Sequence, residues 1–286
     1  MKKILFLIAL FLFSVRLFAV EEGHDDMDFV FDENRHEFAI GVGFGHSGLH
    51  HENSTFRFGG NLNFMYAFNI NRRFAFVTGL EITSYAARLG STHGFYDTIL
   101  LRNPAYAPFG DDRMLYFVEA HGVSQSLSSI FLYVPIMTRT RFHLNDSEAL
   151  FVTGGARLGF PIIASYQGHV EFIRTTGFSF ADYQHWVYAP SLGFSTFRDT
   201  DFRGQVDLWL SILLTVEFGY IRTFQNDRTL HLAGFMNLGS SVLRNPNPNM
   251  IRRNPENLEF PIVSSYTGRI DRLVPRAFGV KVRFGF

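Results

Sequence analysis

The amino-acid sequence predicts an all-β, membrane-spanning antiparallel up-and-down β-barrel of eight strands, with ten strands as the alternative. Three observations predict it. Apolar residues take every second place in segment after segment, connections between segments alternate between short and long, and no run beyond the N-terminus is long and apolar enough for a spanning helix. Aromatic content of 16%, with 34 Phe and 25 Gly, is heavy for a water-soluble domain, and it suits strands that turn one face to lipid. A chain that crosses a bilayer without helices must pair every backbone group between strands, and a closed barrel does this.

Met1–Ala19 reads as a secretory signal. Lys2 and Lys3 precede the apolar run Ile4–Phe13, and a small residue, Ala19, stands where cleavage is expected. That run covers about half of a hydrocarbon core needing roughly 20 helical residues, so it does not suit an anchor. Residues 20–35 carry Glu21, Glu22, Asp25, Asp26, Asp28, Asp32 and Glu33 and are expected to be a periplasmic lead-in. Residues 36–286 are expected to form the barrel. There is no Cys, hence no lipoprotein attachment point, disulfide framework or thiolate metal site. A formal net charge of +0 removes the electrostatic case for nucleic acid.

The alternation places the strands one by one. Phe38–Gly45 sends Phe38, Ile40, Val42 and Phe44 outward and keeps Ala39 and three glycines inward. Its Gly-x-Gly-x-Gly spacing sits inside a strand with no helix after it, so it is no phosphate loop. Phe56–Phe68 directs Leu62, Phe64 and Tyr66 outward and Asn61 and Asn63 inward. Phe74–Tyr85 has Phe76, Leu80 and Ile82 outward and Glu81 inward. Ile130–Phe142 puts Tyr133, Arg139 and Arg141 inward, and Ala149–Ile163 does so with Thr153 and Arg157. Gln205–Arg222 is expected to show Leu208, Leu210, Ile212, Leu214, Val216 and Phe218 outward and Glu217 inward. Thr229–Val242 sends Leu230, Leu232, Met236 and Leu238 outward and His231 and Asn237 inward. The last strand, Ala277–Phe286, alternates Phe278, Val280, Val282, Phe284 and Phe286 with Lys281 and Arg283, and should pair with Phe38–Gly45 to close the ring.

Short turns follow the second, fourth and sixth of these strands. Longer connections follow the others, notably Ala86–Ser129, Tyr166–Gly204 and the Asn-Pro-rich Leu243–Arg269, which are expected to be external loops with both chain ends in the periplasm. Val187–Phe197, with Leu115–Ala120 as its partner, is the pair that would raise the count to ten. In an eight-stranded ring that pair becomes a hairpin arm above the membrane. A soluble lipocalin-like barrel would need charged outer faces, and the polar faces here carry mainly Gly and Asn.

Phe38–Gly45, Phe76-Val-Thr-Gly-Leu-Glu-Ile82, Leu132-Tyr-Val-Pro-Ile136 and the terminal Phe together resemble the small outer-membrane barrels of the OmpA-, OmpW- and PorT-like kind, especially the "outer membrane beta-barrel domain" proteins of Bacteroidetes-type bacteria. The resemblance covers nearly the whole chain after the signal. It implies the outer membrane of a Gram-negative-type bacterium, contact with its lipid, and insertion by the barrel-assembly machinery. That machinery reads an aromatic-ended last strand, here Phe284 and Phe286, with Lys281 where the signal favours glycine. Roles within the family differ widely, so no single one carries over.

Parity collects Glu81, Arg139, Arg141, Arg157, Glu217, Lys281 and Arg283 in the lumen. An eight-stranded interior is just wide enough for side chains to fill, and charges there must pair. Asp207 is the expected third acid against this surplus of cations, and a wet lumen would favour anions. His46, His50 and His51 are a conceivable metal cluster, but their loop-like spacing makes solvent exposure the expectation, with no cofactor. His46-Ser47, Asp111-Asp112 and Ser165 fix no catalytic spacing, so no enzyme is expected. The sequence thus points to a structural or surface-interaction protein with an unspecified extracellular or envelope partner. A narrow pore is the alternative.

Overall fold

The computed structural model describes residues 35–50, 55–91, 95–101, 114–179, 186–187, 194–226, 228–242, 251–252, 262–263 and 273–286. Residues 1–34, which hold the expected signal and all but the last residue of the expected lead-in, and most of Leu243–Arg269 lie outside them. The strands are β1 (His36–His50), β2 (Thr55–Asn69), β3 (Phe74–Ser91), β4 (Phe95–Leu101), β5 (Met114–Asn145), β6 (Glu148–Ser179), β7 (Trp186–Val187), β8 (Thr196–Gln205), β9 (Ser211–Thr223), β10 (Thr229–Gly239), β11 (Ile251–Arg252), β12 (Ile262–Val263) and β13 (Val274–Gly285).

Eight of them close a ring in the order β1-β2-β3-β5-β6-β9-β10-β13, and β13 returns to β1. The closing pair is antiparallel from Ala39↔Gly285 to His50↔Val274. Backbone groups across the span thereby pair from strand to strand and the ring has no edge. Exposure follows the period of two. On β13, Val280 is 60% exposed and Val282 41%, while Lys281 between them is 1% and Arg283 3%. The apolar exterior runs round the ring through Phe38, Phe64, Leu80, Ile136, Val152, Val216 and Met236. Aliphatic and aromatic side chains stay exposed on this scale only against an apolar solvent.

The strands run further than the alternation of apolar residues suggests. β5 and β6 each hold 32 residues, roughly 100 Å at strand rise, whereas about 10 tilted residues cross a bilayer. Much of the expected loops Ala86–Ser129 and Tyr166–Gly204 is therefore strand. β3 continues to Ser91, β4 pairs with the first part of β5, and β8 pairs with β6. Together they extend the β5–β6 hairpin into a raised sheet beyond the ring. Leu115–Ala120 belongs to β5 and pairs with β4. Val187 and the start of β8 pair with β6, so neither adds a strand to the ring.

Two irregularities mark where ring passes into raised sheet. Ile162 is an extra residue in β6, because Ile130 opposes Ile163 and Phe131 opposes Pro161, which has no N–H to donate. Opposite this bulge the β8–β9 backbone leaves the ladder over residues 206–210. Val206 N–H still reaches the Ala164 carbonyl at 3.0 Å, but Trp209 N–H turns to the Val242 carbonyl at 2.7 Å. Strict alternation from Gln205 therefore fails. Leu208, expected outward, is buried, and Asp207, expected in the lumen, is exposed. Higher up, Gly122 adopts a positive φ of 66° between the His121↔Phe172 and Val123↔Val170 pairs. This kink switches the buried set of β5 from Val123, Gln125 and Leu127 to Ala120, Val118 and Tyr116.

Candidate functional site

The lumen is filled in layers. The central one joins Glu81 of β3, Arg157 of β6, Glu217 of β9 and Lys281 and Arg283 of β13. Arg157 donates to Glu81 and to Glu217, at 2.6 Å each. Lys281 Nζ lies 2.8 Å from Glu81 Oε2 and 2.9 Å from Glu217 Oε1. Arg283 Nη2 donates to both oxygens of Glu217, at 2.9 and 2.7 Å, and its Nε donates to Asn63 Oδ1 at 2.8 Å. Thr83 donates to Glu81 at 3.1 Å. Inward parity on four strands brings these groups to one level. Each carboxylate is held by at least two cations, as low-dielectric burial demands. Lys281 Nζ also sits 4.6 Å from the Phe235 ring centroid, a cation–π contact that supports a surplus cation.

Arg139 and Arg141 stand apart, towards the mouth where the chain ends. They share Glu37, with Arg139 Nη1 at 3.5 Å and Arg141 Nη2 in close contact. His231 Nε2 is 2.8 Å from the other oxygen of Glu37, and Arg139 lies over Phe151, 5.1 Å from its centroid. Glu37 is thus the third lumen acid in place of Asp207. Parity from Phe38 carried one residue back would have found it. The apolar side chains of Ala39, Met65, Ala67, Ala75, Val77 and Met137 form a buried cluster in this part of the bore.

On the raised-sheet side of the central layer the bore is mainly apolar, with Ser47, Gln125, Ser129 and Asn237 also buried. Leu49, Tyr85, Leu89, Leu127, Phe131, Tyr133, Leu213, Phe235 and Leu273 form one buried cluster. Tyr133 donates across it to Ser211 Oγ at 3.4 Å. No alternation rule could locate this plug, because it draws on residues from β1 round to β13 and on both ends of broken strands.

The other candidates fall apart. His46 and His50 lie on β1, and His51 is outside the described residues. His46 points outward, its ring 5.2 Å from that of Phe278 and 6.3 Å from that of Phe58. Ser47 points inward and donates to the Ser84 carbonyl at 2.8 Å, so His46 and Ser47 cannot act as a pair. Ser165 is exposed on β6, and Asp111 and Asp112 are outside the described residues. Among the described residues no group of His, Cys, Asp and Glu could hold a metal ion. In the raised sheet, Glu119 accepts from Tyr96 at 3.3 Å and lies 3.0 Å from His121 Nε2. Those hydrogen bonds hold its carboxyl below the ordinary glutamate value.

No protein-family model matches the chain, and no curated protein sequence does. Among solved structures it is similar to neisserial surface protein A, at 11% identity and a TM-score of 0.35, over 87% of this chain and 95% of that one. Ail, the attachment invasion locus protein of Yersinia pestis, aligns at 11% identity and a TM-score of 0.28, over 87% and 98% of the two chains. Likeness this slight carries no weight on function. Ring, apolar exterior and filled bore define the class by themselves: an eight-stranded membrane-spanning barrel with a raised sheet.

Proposed function

We propose that this is an integral outer-membrane protein with a closed lumen, whose raised sheet presents a surface for interaction outside the cell. One observation carries the reading. The bore is occupied from Glu37 to Leu273 by paired charges and an apolar cluster, while β5 and β6 continue well past the span. The chain so invests its length in surface and its interior in packing. The secretory signal, the resemblance to the Bacteroidetes-type barrels and the lipid-facing Phe residues support the address. A structural or binding role is preferred to catalysis because no nucleophile–base pair is assembled among the described candidates. A second reading, a narrow pore for small solutes or ions, draws on the cation surplus. Among the described residues, Arg139, Arg141, Arg157, Lys281 and Arg283 face the carboxylates of Glu37, Glu81 and Glu217 alone.

Planar-bilayer recording separates the two. A silent wild-type barrel supports the closed reading, and stepwise currents that change in Arg157→Ala or Glu217→Ala would establish the pore. The barrel-assembly machinery is the proposed partner of β13 and its terminal Phe284 and Phe286. Deleting Phe286 should lower outer-membrane levels several-fold while the protein refolded in detergent keeps its heat-resistant gel mobility. Unchanged surface levels would remove that assignment.

A further inference from the structure

The outward face of β3, β5, β6 and β8 changes character at one level. Below it stand Ile130 and Ile163 in one row and Ile82 a step lower, continuous with the apolar exterior, while on β3 the exposed Ser84 already stands in the row of Ile130. Directly above, the register aligns Ala86, Ser128, Ser165 and Gln205 in one row and Arg88, Ser126, Gln167 and Arg203 in the next. The alternation runs from the apolar band into both rows on β3 and β5 and, past the parity change at Ile162, on β6. On β8, beyond the break at residues 206–210, pairing with β6 sets Gln205 and Arg203 in the same rows, and the inward neighbours Leu89, Leu127 and Phe202 are buried. The two rows therefore continue the lipid-facing surface.

Their height can be set. Ser128 lies two residues past Ile130, about 7 Å along the strand and roughly 5 Å along the membrane normal at a tilt near 45°. A headgroup layer adds about 5–7 Å beyond each side of the hydrocarbon core. The serine row thus sits within that layer. The arginine row lies about 10 Å up, and long side chains let its guanidinium groups snorkel back to the same depth. Arg88 and Arg203 are exposed and stand three strand spacings apart, about 14 Å. Among the described residues neither meets a carboxylate, and the acid one row higher, Asp201, is engaged by His169 at 2.8 Å.

From this placement we propose that the face is a docking surface for phosphorylated glycolipid headgroups of the surrounding leaflet. Arg88 and Arg203 take phosphate in the bidentate geometry guanidinium favours. Ser126, Ser128, Ser165 and Gln167 between them exchange hydrogen bonds with sugar hydroxyls. The span suits a disaccharide bearing a phosphate at each end. The inference rests on the outer-membrane reading above and deepens it.

The test uses the full chain purified in neutral detergent and three probes: bis-phosphorylated lipid A, the same lipid after phosphate removal, and inorganic phosphate. Wild type should bind the phosphorylated lipid. The double variant Arg88→Gln/Arg203→Gln should bind it about tenfold or more weakly while keeping its heat-resistant mobility, as charge-assisted bonds to phosphate are lost. Arg222→Gln, at the opposite mouth, should bind as wild type. The proposal is overturned if the double variant keeps full affinity, if the dephosphorylated lipid binds equally well, or if millimolar inorganic phosphate displaces the lipid. Failure of the wild type to insert into any liposome would instead remove the membrane reading. Insertion without headgroup preference removes this inference alone.

Discussion

β5 and β6 run through two surroundings without interruption. In the ring their outward residues are Phe142, Ile136, Leu150, Val152 and Leu158; beyond Ile130 and Ile163 they become Ser128, Ser126, Ser124, Ser165 and Gln167. The inward side does the reverse. In the ring it is charged at Arg139 and Arg157, and in the raised sheet it is apolar at Val118, Val170 and Ile173. One hydrogen-bonded ladder thus serves a protein turned inside out below and an ordinary one-faced sheet above. The backbone is indifferent to the solvent, so the side chains alone record where lipid ends.

The comparison is broken most severely from within the ring. Glu217→Ala leaves Arg157, Lys281 and Arg283 around Glu81 alone, and stranding buried cations costs about 3–5 kcal/mol. Reversible urea unfolding in lipid should show that loss, and a midpoint within error of wild type would mean that the layer is hydrated. Next is the outer face. Ile136→Arg, 48% exposed at the middle of the apolar band of β5, should cost about 2–4 kcal/mol. Ser124→Arg, on the same strand and same face above the boundary, should stay within about 0.5 kcal/mol. Equal effects from the two substitutions would erase the boundary drawn at Ile130.

The smallest effect is a titration in the raised sheet. The His121 and Tyr96 hydrogen bonds depress the Glu119 pKa in the folded state. The stability they contribute is therefore full above the unfolded value and lost as pH falls through the folded one. Below the ordinary glutamate range, the carboxyl carbon resonance of Glu119 should titrate late. In Tyr96→Phe with His121→Gln it should return towards the ordinary value, and an unmoved midpoint would show that these bonds are not formed in solution.

Much of this was legible residue by residue. Period-two alternation marked each ring strand, because lipid outside and a crowded bore inside force opposite chemistry on adjacent residues. The same parity named Glu81, Arg139, Arg141, Arg157, Glu217, Lys281 and Arg283, all of which lie inward on their strands. It failed at Leu208 and Asp207, where the backbone leaves the ladder and parity has no meaning. It also mistook the raised strands for loops. Their outward Ser and Gln residues look like loop residues, and the kink at Gly122 resets the count midway.

The sequence by itself determined the local facts: which segments are strands in the span, which side of each meets lipid, and which end of the chain closes the ring. These follow from one strand and its solvent. The tertiary structure alone decided which charges meet. Glu37 joins Arg139 and Arg141, and Glu217 gathers Arg157, Lys281 and Arg283, because strand register and shear set the height of every inward side chain. Height across the bore depends on all eight strands together, and no single strand encodes it.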